Sequence, residues 1–461
     1  MSYFEKRLEL DVPVETLYAW HARPGAFARL NPPWEPVQQV DAKDVLDAAS
    51  PIDAHHWLKM QMGKLPLYWL ARHRVELENK LFVDMQAKGP FAYWQHQHRF
   101  ESLGPGRSAL IDAIEYRLPL DPFSRVARGF VRQKLERMFA YRHRITAQDI
   151  LTHVHYQKKQ VKPMHILISG ASGLVGTALG SFLTTGGHTV SKLVRHRPKN
   201  PDEIQWDIKA QQLDPQALEG IDAVIHLAGE SIAGGRWTDT KKEKIMQSRV
   251  QSTRLLVKAL QEMENPPETF VCASAIGYYG DQGSNELSES APAGEGFLAR
   301  VCKAWEAETE PLKSTSIRVV NARIGVVLSQ NGGALPQMLP PFQLGLGGKL
   351  GSGQQYMSWI AIDDIVRAFY HCLHTPTLSG PVNFSAPNPV TNAKFTRVLA
   401  SVLNRPAFFQ VPKFALELAM GEMADEMLFD STRVIPDKLT STGFVFQYPD
   451  LKNALAHVLG R

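Results

Sequence analysis

The front of the chain alternates apolar and polar residues, whereas the back sets short apolar runs between helical repeats. Phe4-Glu-Lys-Arg-Leu-Glu-Leu10 has the two-residue period of a half-buried strand. Val12 to Trp20 follows as a short helix with Pro13 near its start. Strand-like segments come next at Trp57–Gln61, His73–Leu77, Leu81–Met85, Tyr93–Phe100 and Ala109–Leu118. Asp121-Pro122 then opens one long helix. Asp121 is a capping residue, Pro122 suits a first turn, and Phe123, Val126, Phe130, Leu135, Met138 and Phe139 make the apolar face. An antiparallel sheet curled around one long helix is an α+β helix-grip arrangement.

From Met164 the period changes. Apolar runs at His165–Ser169, Thr189–Val194, Ala223–Leu227, Thr269–Ala273 and Ile317–Ala322 alternate with helical stretches, notably Thr238–Met263 and Gly296–Glu310. This is the sign of a Rossmann-type α/β fold, a doubly wound parallel sheet covered on both faces. Residues 151–163 are polar, end in Pro163 and read as a linker. The chain therefore divides into a domain over 1–150 and a second over 164–461, with a small C-terminal lobe from about 330. In that lobe the run Gly345-Leu-Gly-Gly-Lys-Leu-Gly-Ser-Gly353 reads as a substrate lid.

At 461 residues the chain exceeds one ordinary core. Its three cysteines make no disulfide framework, so a reducing compartment is expected. The N-terminus lacks a signal-peptide core and no apolar run reaches the roughly 20 residues of a spanning helix; the expected location is cytoplasmic. The net charge of +5 falls entirely within residues 1–160, gathered on Arg125, Arg128, Arg132, Lys134, Arg137, Arg142 and Arg144. A solvated helix face explains such a run, and nucleic acid is not an expected partner.

The chemistry-bearing stretch is Ser169-Gly-Ala-Ser-Gly-Leu-Val-Gly176, directly after a strand and opening a helix. Gly170, Gly173 and Gly176 permit a tight turn and close approach of backbone to phosphate. With Ser172, Leu174 and Val175 they form a cradle for a dinucleotide pyrophosphate. Where the second strand ends, an NAD site places an acidic residue on the ribose. This chain has Arg195 and Arg197, which suit the 2′-phosphate of NADP. Asp207 ends the next short strand, and the backbone of Leu227, Ala228 and Gly229 lies where it lines the cofactor crevice. Asp363-Asp364 reads as a helix cap and Cys302 as a packed thiol. His96 and His98 share one strand face with Trp94 and Phe100. With His73 or Asp84 they could hold a metal, but no spacing fixes a third ligand. A polar patch in a cavity wall is the simpler reading, and no metal is expected.

Residues 1 to about 150 resemble the START-like (SRPBCC) lipid- and polyketide-binding superfamily. The resemblance rests on Ala22-Arg-Pro-Gly-Ala26, Asn31-Pro-Pro-Trp34, Gly89-Pro-Phe-Ala-Tyr-Trp94 and His96-Gln-His98; it implies an apolar ligand between sheet and helix. Residues 164–461 resemble the epimerase-like branch of the extended short-chain dehydrogenase/reductase superfamily. Here the matching stretches include His226-Leu-Ala-Gly-Glu230, Ser248-Arg-Val250, Ser274-Ala-Ile-Gly-Tyr-Tyr-Gly280, Trp305-Glu306, Arg323-Ile-Gly-Val-Val-Leu328, Trp359-Ile-Ala-Ile-Asp-Asp364 and Ser431-Thr-Arg-Val-Ile-Pro-Asp-Lys438. The resemblance implies NADP binding, with Arg195, Leu227, Ala228 and Arg249 near the cofactor, a small-molecule substrate and, by analogy, a homodimer.

Ser274 matches the catalytic serine of that superfamily. Its Tyr-x-x-x-Lys pair is absent: Phe297 or Leu298 stands at the tyrosine position and Val301 or Cys302 at the lysine position. Neither a phenyl ring nor an alkyl chain exchanges a proton. Tyr278, Tyr279 and Lys303 are the nearby substitutes. Two functions follow as expectations: an NADP(H)-dependent oxidoreductase or epimerase-like enzyme, or a non-catalytic regulatory protein that senses NADP(H) and an apolar ligand.

Overall fold

The computed structural model describes residues 1–35, 37–40, 53–62, 65–119, 127–157 and 162–461. Two compact units emerge, one built mainly of Met1–Gln160, the other of Val161–Leu183 and His188–Leu459.

The first unit is a seven-stranded antiparallel sheet with one long helix. Its strands are β1 (Ser2–Leu10), β2 (Gln38–Val40), β3 (Asp53–Met62), β4 (Leu65–Leu77), β5 (Leu81–Lys88), β6 (Tyr93–Gly104) and β7 (Arg107–Arg117), ordered β1-β7-β6-β5-β4-β3-β2. The helices are α1 (Val14–Ala22), α2 (Ala26–Leu30) and α3 (Ala127–Gln157). On β6 every second residue from Trp94 to Phe100 is buried, as the alternation requires. Leu10, Trp20, Phe100, Leu110, Ile145 and Ile150 form one apolar cluster, while Phe4, Ile114, Leu135 and Phe139 form another.

Several sequence expectations change here. Asp121, Pro122, Phe123 and Val126 lie outside the described residues. Phe130, assigned to the apolar face of α3, is exposed. The stretch from 151 that reads as a linker is helical as far as Gln157, because Ile150 and Val154 carry the core-facing stripe onward beneath a polar composition. β4 begins well before His73, since pairing along β3 holds residues whose side-chain pattern alone is ambiguous.

The second unit is a parallel sheet ordered β10-β9-β8-β11-β12, then the strands Arg318–Ile324 and Gly380–Phe384. Its labelled strands are β8 (His165–Ser169), β9 (Thr189–Val194), β10 (Glu203–Gln205), β11 (Ala223–His226) and β12 (Thr269–Ala275). The helices that bear on the site are α4 (Leu174–Thr185), α5 (Asp239–Gln261) and α6 (Phe297–Ala307). β8 pairs with both β9 and β11, so the connections leave it in opposite directions. Such a switch point opens a crevice at the carboxyl ends of the strands. A lobe with its own core of Leu328, Leu339, Trp359, Phe395 and Leu455 completes the unit. Within it the glycine run expected to be a loop holds a short strand, Gly348–Leu350, paired with Phe409–Val411. A Cβ on Gly348 would overlap the Phe409 carbonyl, so glycine is required for that pairing. Among the described residues no helix is long and apolar enough to cross a membrane.

One buried ion pair ties α2 to α3. Arg29 Nε and Nη2 donate to Asp149 at 2.7 and 2.8 Å, and the side chains are only 6% and 1% exposed. Breaking a buried pair strands a charge and costs about 3–5 kcal/mol. Asp149→Ala is therefore expected to lower stability by that amount in urea unfolding, and Arg29→Met with Asp149→Leu to recover most of the loss.

Candidate functional site

The crevice begins where β8 stops. Gly170 has φ +69°, a left-handed conformation, and a Cβ there would stand 2.8 Å from the Leu227 carbonyl carbon. The Gly173 N–H donates to the Gly170 carbonyl at 3.0 Å, closing the turn. A Cβ on Gly176 would overlap that same carbonyl oxygen. The loop is thus folded onto β11 and onto itself, with Ser172 and Gly173 exposed and Leu174 and Val175 starting α4. The first-turn N–H groups of α4 have no partner within the helix and give its end a partial positive charge.

A buried polar chain holds the facing wall. Ser169 Oγ accepts from the N–H groups of Leu227 (3.1 Å) and Ala228 (3.2 Å) and lies 2.6 Å from His226 Nδ1. His226 Nε2 is 3.0 Å from Thr253 Oγ1, which also accepts from Trp305 Nε1 at 2.9 Å. With Nδ1 accepting from serine, Nε2 carries the proton. Burial keeps this ring neutral, pushing its pKa down to about 3. Beneath the turn, Arg249 Nη1 donates to the Glu230 and Ile245 carbonyls at 3.1 and 3.0 Å, and its guanidinium lies over Trp305. A Cβ on Gly229 would come within 3.2 Å of Arg249 Cζ. Arg195 and Arg197 are both exposed after β9. Asp207 Oδ1 accepts from the N–H groups of Lys209 and Ala210, each at 2.9 Å, a local turn role.

The carboxyl end of β12 carries a second array. Ser274 Oγ donates to Glu306 Oε1 at 2.7 Å, and Arg323 grips both oxygens of Glu306 at 2.9 Å. Arg323 also donates to the Tyr279 hydroxyl at 3.0 Å and lies 3.4 Å from the Tyr278 ring centroid. Tyr279 is fully buried and donates to Asn383 Oδ1 at 2.6 Å; burial pushes its phenol up to about 12. Ser274, Tyr278 and Tyr279 therefore meet around Arg323. Lys303 is exposed and makes none of these contacts, but it lines a groove of about 610 Å³ together with Tyr278, Glu306, Asn321 and Arg323.

The register of α6 sets which of its residues lie beside Ser274. A Cβ on Gly277 would meet Leu298 Cβ at 3.0 Å, and Cys302 Sγ donates to the Ala275 carbonyl at 3.6 Å. Phe297 and Val301 turn instead toward Trp237, Ile245 and Met423. Leu298 and Cys302 thus flank the Ser274–Gly277 segment. Burial pushes the Cys302 thiol up to about 11, consistent with a packed thiol. The first turn of α6 is held from the lobe: Glu426 accepts from Phe297 N at 2.6 Å and Leu298 N at 2.7 Å. Close by, burial and then Asp281 push half-buried Asp430 up to about 6.

His226, Glu306 and Arg323 lie in the stretches that carry the resemblance but with no role assigned to their side chains, and Glu426 lies outside them.

Residues 166–383 match the NAD dependent epimerase/dehydratase family, 10–144 the polyketide cyclase / dehydrase and lipid transport family, and 411–458 a domain of unknown function. An epimerase family protein of Mycobacterium bovis is 43% identical over 296 residues, covering 64% of this chain and 98% of that protein. The crystal structure of a nucleoside-diphosphate sugar epimerase from Corynebacterium glutamicum is 33% identical with TM-score 0.80, over 99% of this chain and 90% of that one. The human epimerase family protein SDR39U1, solved with NADPH, is 35% identical with TM-score 0.60, over 64% of this chain and 99% of that one.

His226 generates a pH prediction. Its folded pKa of about 3 lies below the ordinary 6.5, so between these values the unfolded chain binds a proton that the folded one refuses. Stability falls as pH drops from 6.5 toward 3, by an amount on the order of a few kcal/mol. Thermal melts over this range are expected to show a shallower decline for His226→Gln than for the unaltered chain.

Proposed function

The chain belongs to the epimerase family, and we propose that it acts there as an NADP(H)-dependent oxidoreductase or epimerase-like enzyme on a small carbonyl, alcohol or sugar-like substrate. Bound NADP(H) supplies the hydride donor and acceptor. Gly170, Ser172, Gly173, Leu174, Val175 and Gly176 would hold its pyrophosphate. Leu227, Ala228 and Gly229 would line the crevice above Arg249, with Asp207 at its far side. Arg195 and Arg197 would meet the 2′-phosphate. The glycine loop carries this reading: it lies too close to Leu227 and to its own backbone to admit a side chain, leaving bare N–H groups at the open end of α4.

Ser274 is the group that polarises the substrate oxygen. To do so its hydroxyl turns from Glu306, whose charge stays paired with Arg323 throughout. Of the three proton-donor candidates, Tyr278 suits the task best. It lies half-buried in the groove against Arg323, whereas Tyr279 is sealed and Lys303 is an exposed side chain of the same groove. A regulatory reading, in which NADP(H) occupancy and an apolar ligand in the first unit are sensed without turnover, is favoured by one observation. Leu298 and Cys302, beside Ser274, cannot relay a proton at neutral pH.

Two measurements test these readings. NADPH deuterated stereospecifically at C4 is expected to pass label to a product within a panel of carbonyl compounds and nucleotide sugars. Tight NADPH binding with no transfer to any of them would favour the sensor. Where turnover is found, Tyr278→Phe is expected to lower it by about 10²-fold or more, and unchanged turnover in Ser274→Ala would remove that residue from the mechanism. Replacing Arg195 and Arg197 with alanine is expected to weaken NADPH at least about tenfold, the loss of one charge-assisted hydrogen bond, and to leave NADH binding unaltered in fluorescence titration.

A further inference from the structure

The first unit holds a partly buried cluster, with Asp84 and His73 about one-third exposed at its edge, that the proposed activity of the second does not use. On β6, His96 and His98 face the same side of the sheet. Cross-strand pairing sets Asp84 of β5 opposite His96, Asp112 of β7 opposite His98, and His73 of β4 opposite Asp84. One face of four adjacent strands therefore carries three imidazoles and two carboxylates. His143 of α3 reaches the same group, with Nε2 2.6 Å from Asp112 Oδ2.

The contacts sort into two layers. Asp84, His96 and His98 each present a ligand atom, and these atoms lie within 4.8 Å of one another. Asp84 Oδ2 and His98 Nε2 are 3.1 Å apart, close to the roughly 3.0 Å edge of an octahedral site with bonds of about 2.1 Å. Behind them stands a set of holders. Asp112 Oδ1 takes His96 Nε2 at 2.8 Å and sits 2.9 Å from His98 Nδ1. His73 Nδ1 takes Asp84 Oδ1 at 2.7 Å. His96 is thus held through Nε2 and Asp84 through Oδ1, while His98 Nε2 and Asp84 Oδ2 face each other. Metal sites are built this way, with outer carboxylates fixing the tautomer and orientation of ligating imidazoles.

A purely structural network accounts for the cluster less well. His96, His98 and Asp112 are 4%, 6% and 2% exposed, and apolar groups would fill such a place at lower cost. The network is also incomplete, because His98 Nδ1 lies near Asp112 but out of line for a hydrogen bond. Phe82 and Phe139 close the surroundings, with ring centroids 4.3 Å from His98 and 5.2 Å from His96. We propose that Asp84, His96 and His98 bind a divalent first-row transition ion. Two imidazoles with one carboxylate select such ions over magnesium or calcium, which prefer oxygen sets. Three protein ligands leave coordination positions for a ligand oxygen.

The test uses the full chain without a histidine tag, stripped with chelator and titrated with cobalt(II). One ion per chain is expected, with visible d–d absorption and a raised melting temperature. His96→Gln and Asp84→Asn are expected to lower affinity at least tenfold, and so is Asp112→Asn, an outer holder whose loss typically costs 10–100-fold. Absence of binding in the unaltered chain, or affinity unchanged in His96→Gln, would overturn the site. Should the variants not fold, X-ray absorption of the cobalt-loaded unaltered chain decides: two imidazoles in a nitrogen and oxygen shell support the site, and a shell without imidazole overturns it.

Discussion

At the crevice of the second unit, backbone touches backbone. Gly170 lies against the Leu227 carbonyl with no room for a methyl group, and Gly176 lies as closely against Gly170. This contact lets β8 and β11 end side by side with their loops interleaved. It places Ser169 where one hydroxyl gathers the Leu227 and Ala228 N–H groups together with His226. It also sets where α4 begins. The wall opposite, from His226 through Thr253 to Trp305, is a consequence of that approach, since each member completes the hydrogen bonding of the one before.

The second array obeys a different constraint, the burial of opposite charges. Arg323 ends an inner strand and Glu306 lies on α6, and each would be costly there without the other. Their pairing brings strand and helix to a fixed register and draws Ser274, Tyr278 and Tyr279 around the guanidinium. The same register turns Leu298 and Cys302 toward Ser274. Beside Ser274 the helix thus presents an alkyl chain and a thiol that burial keeps protonated.

What was legible in the sequence was local. The glycine loop and the apolar runs of the first parallel strands follow from rules that act over a few residues, and so does the alternation of the helix-grip strands, though β4 and α3 extend beyond it. The unread parts depend on distant partners. The continuation of α3 to Gln157 needs the core beneath Ile150. The pairing of Glu306 with Arg323 joins a helix to a strand, and the choice between His73 and Asp84 beside His96 and His98 depends on which strand lies next to β6. Phe130 illustrates the converse error: it has the right period but sits on a helix turn that the sheet does not cover.

The first turn of α6 takes its cap from Glu426, 128 and 129 positions further along the chain. A carboxylate in that place occupies the two N–H donors that a helix end otherwise offers to an anion. A phosphate or carboxylate group arriving there competes with a resident negative charge, whereas a neutral or cationic group does not. The lobe therefore sets a fixed negative charge at the helix end that carries Leu298.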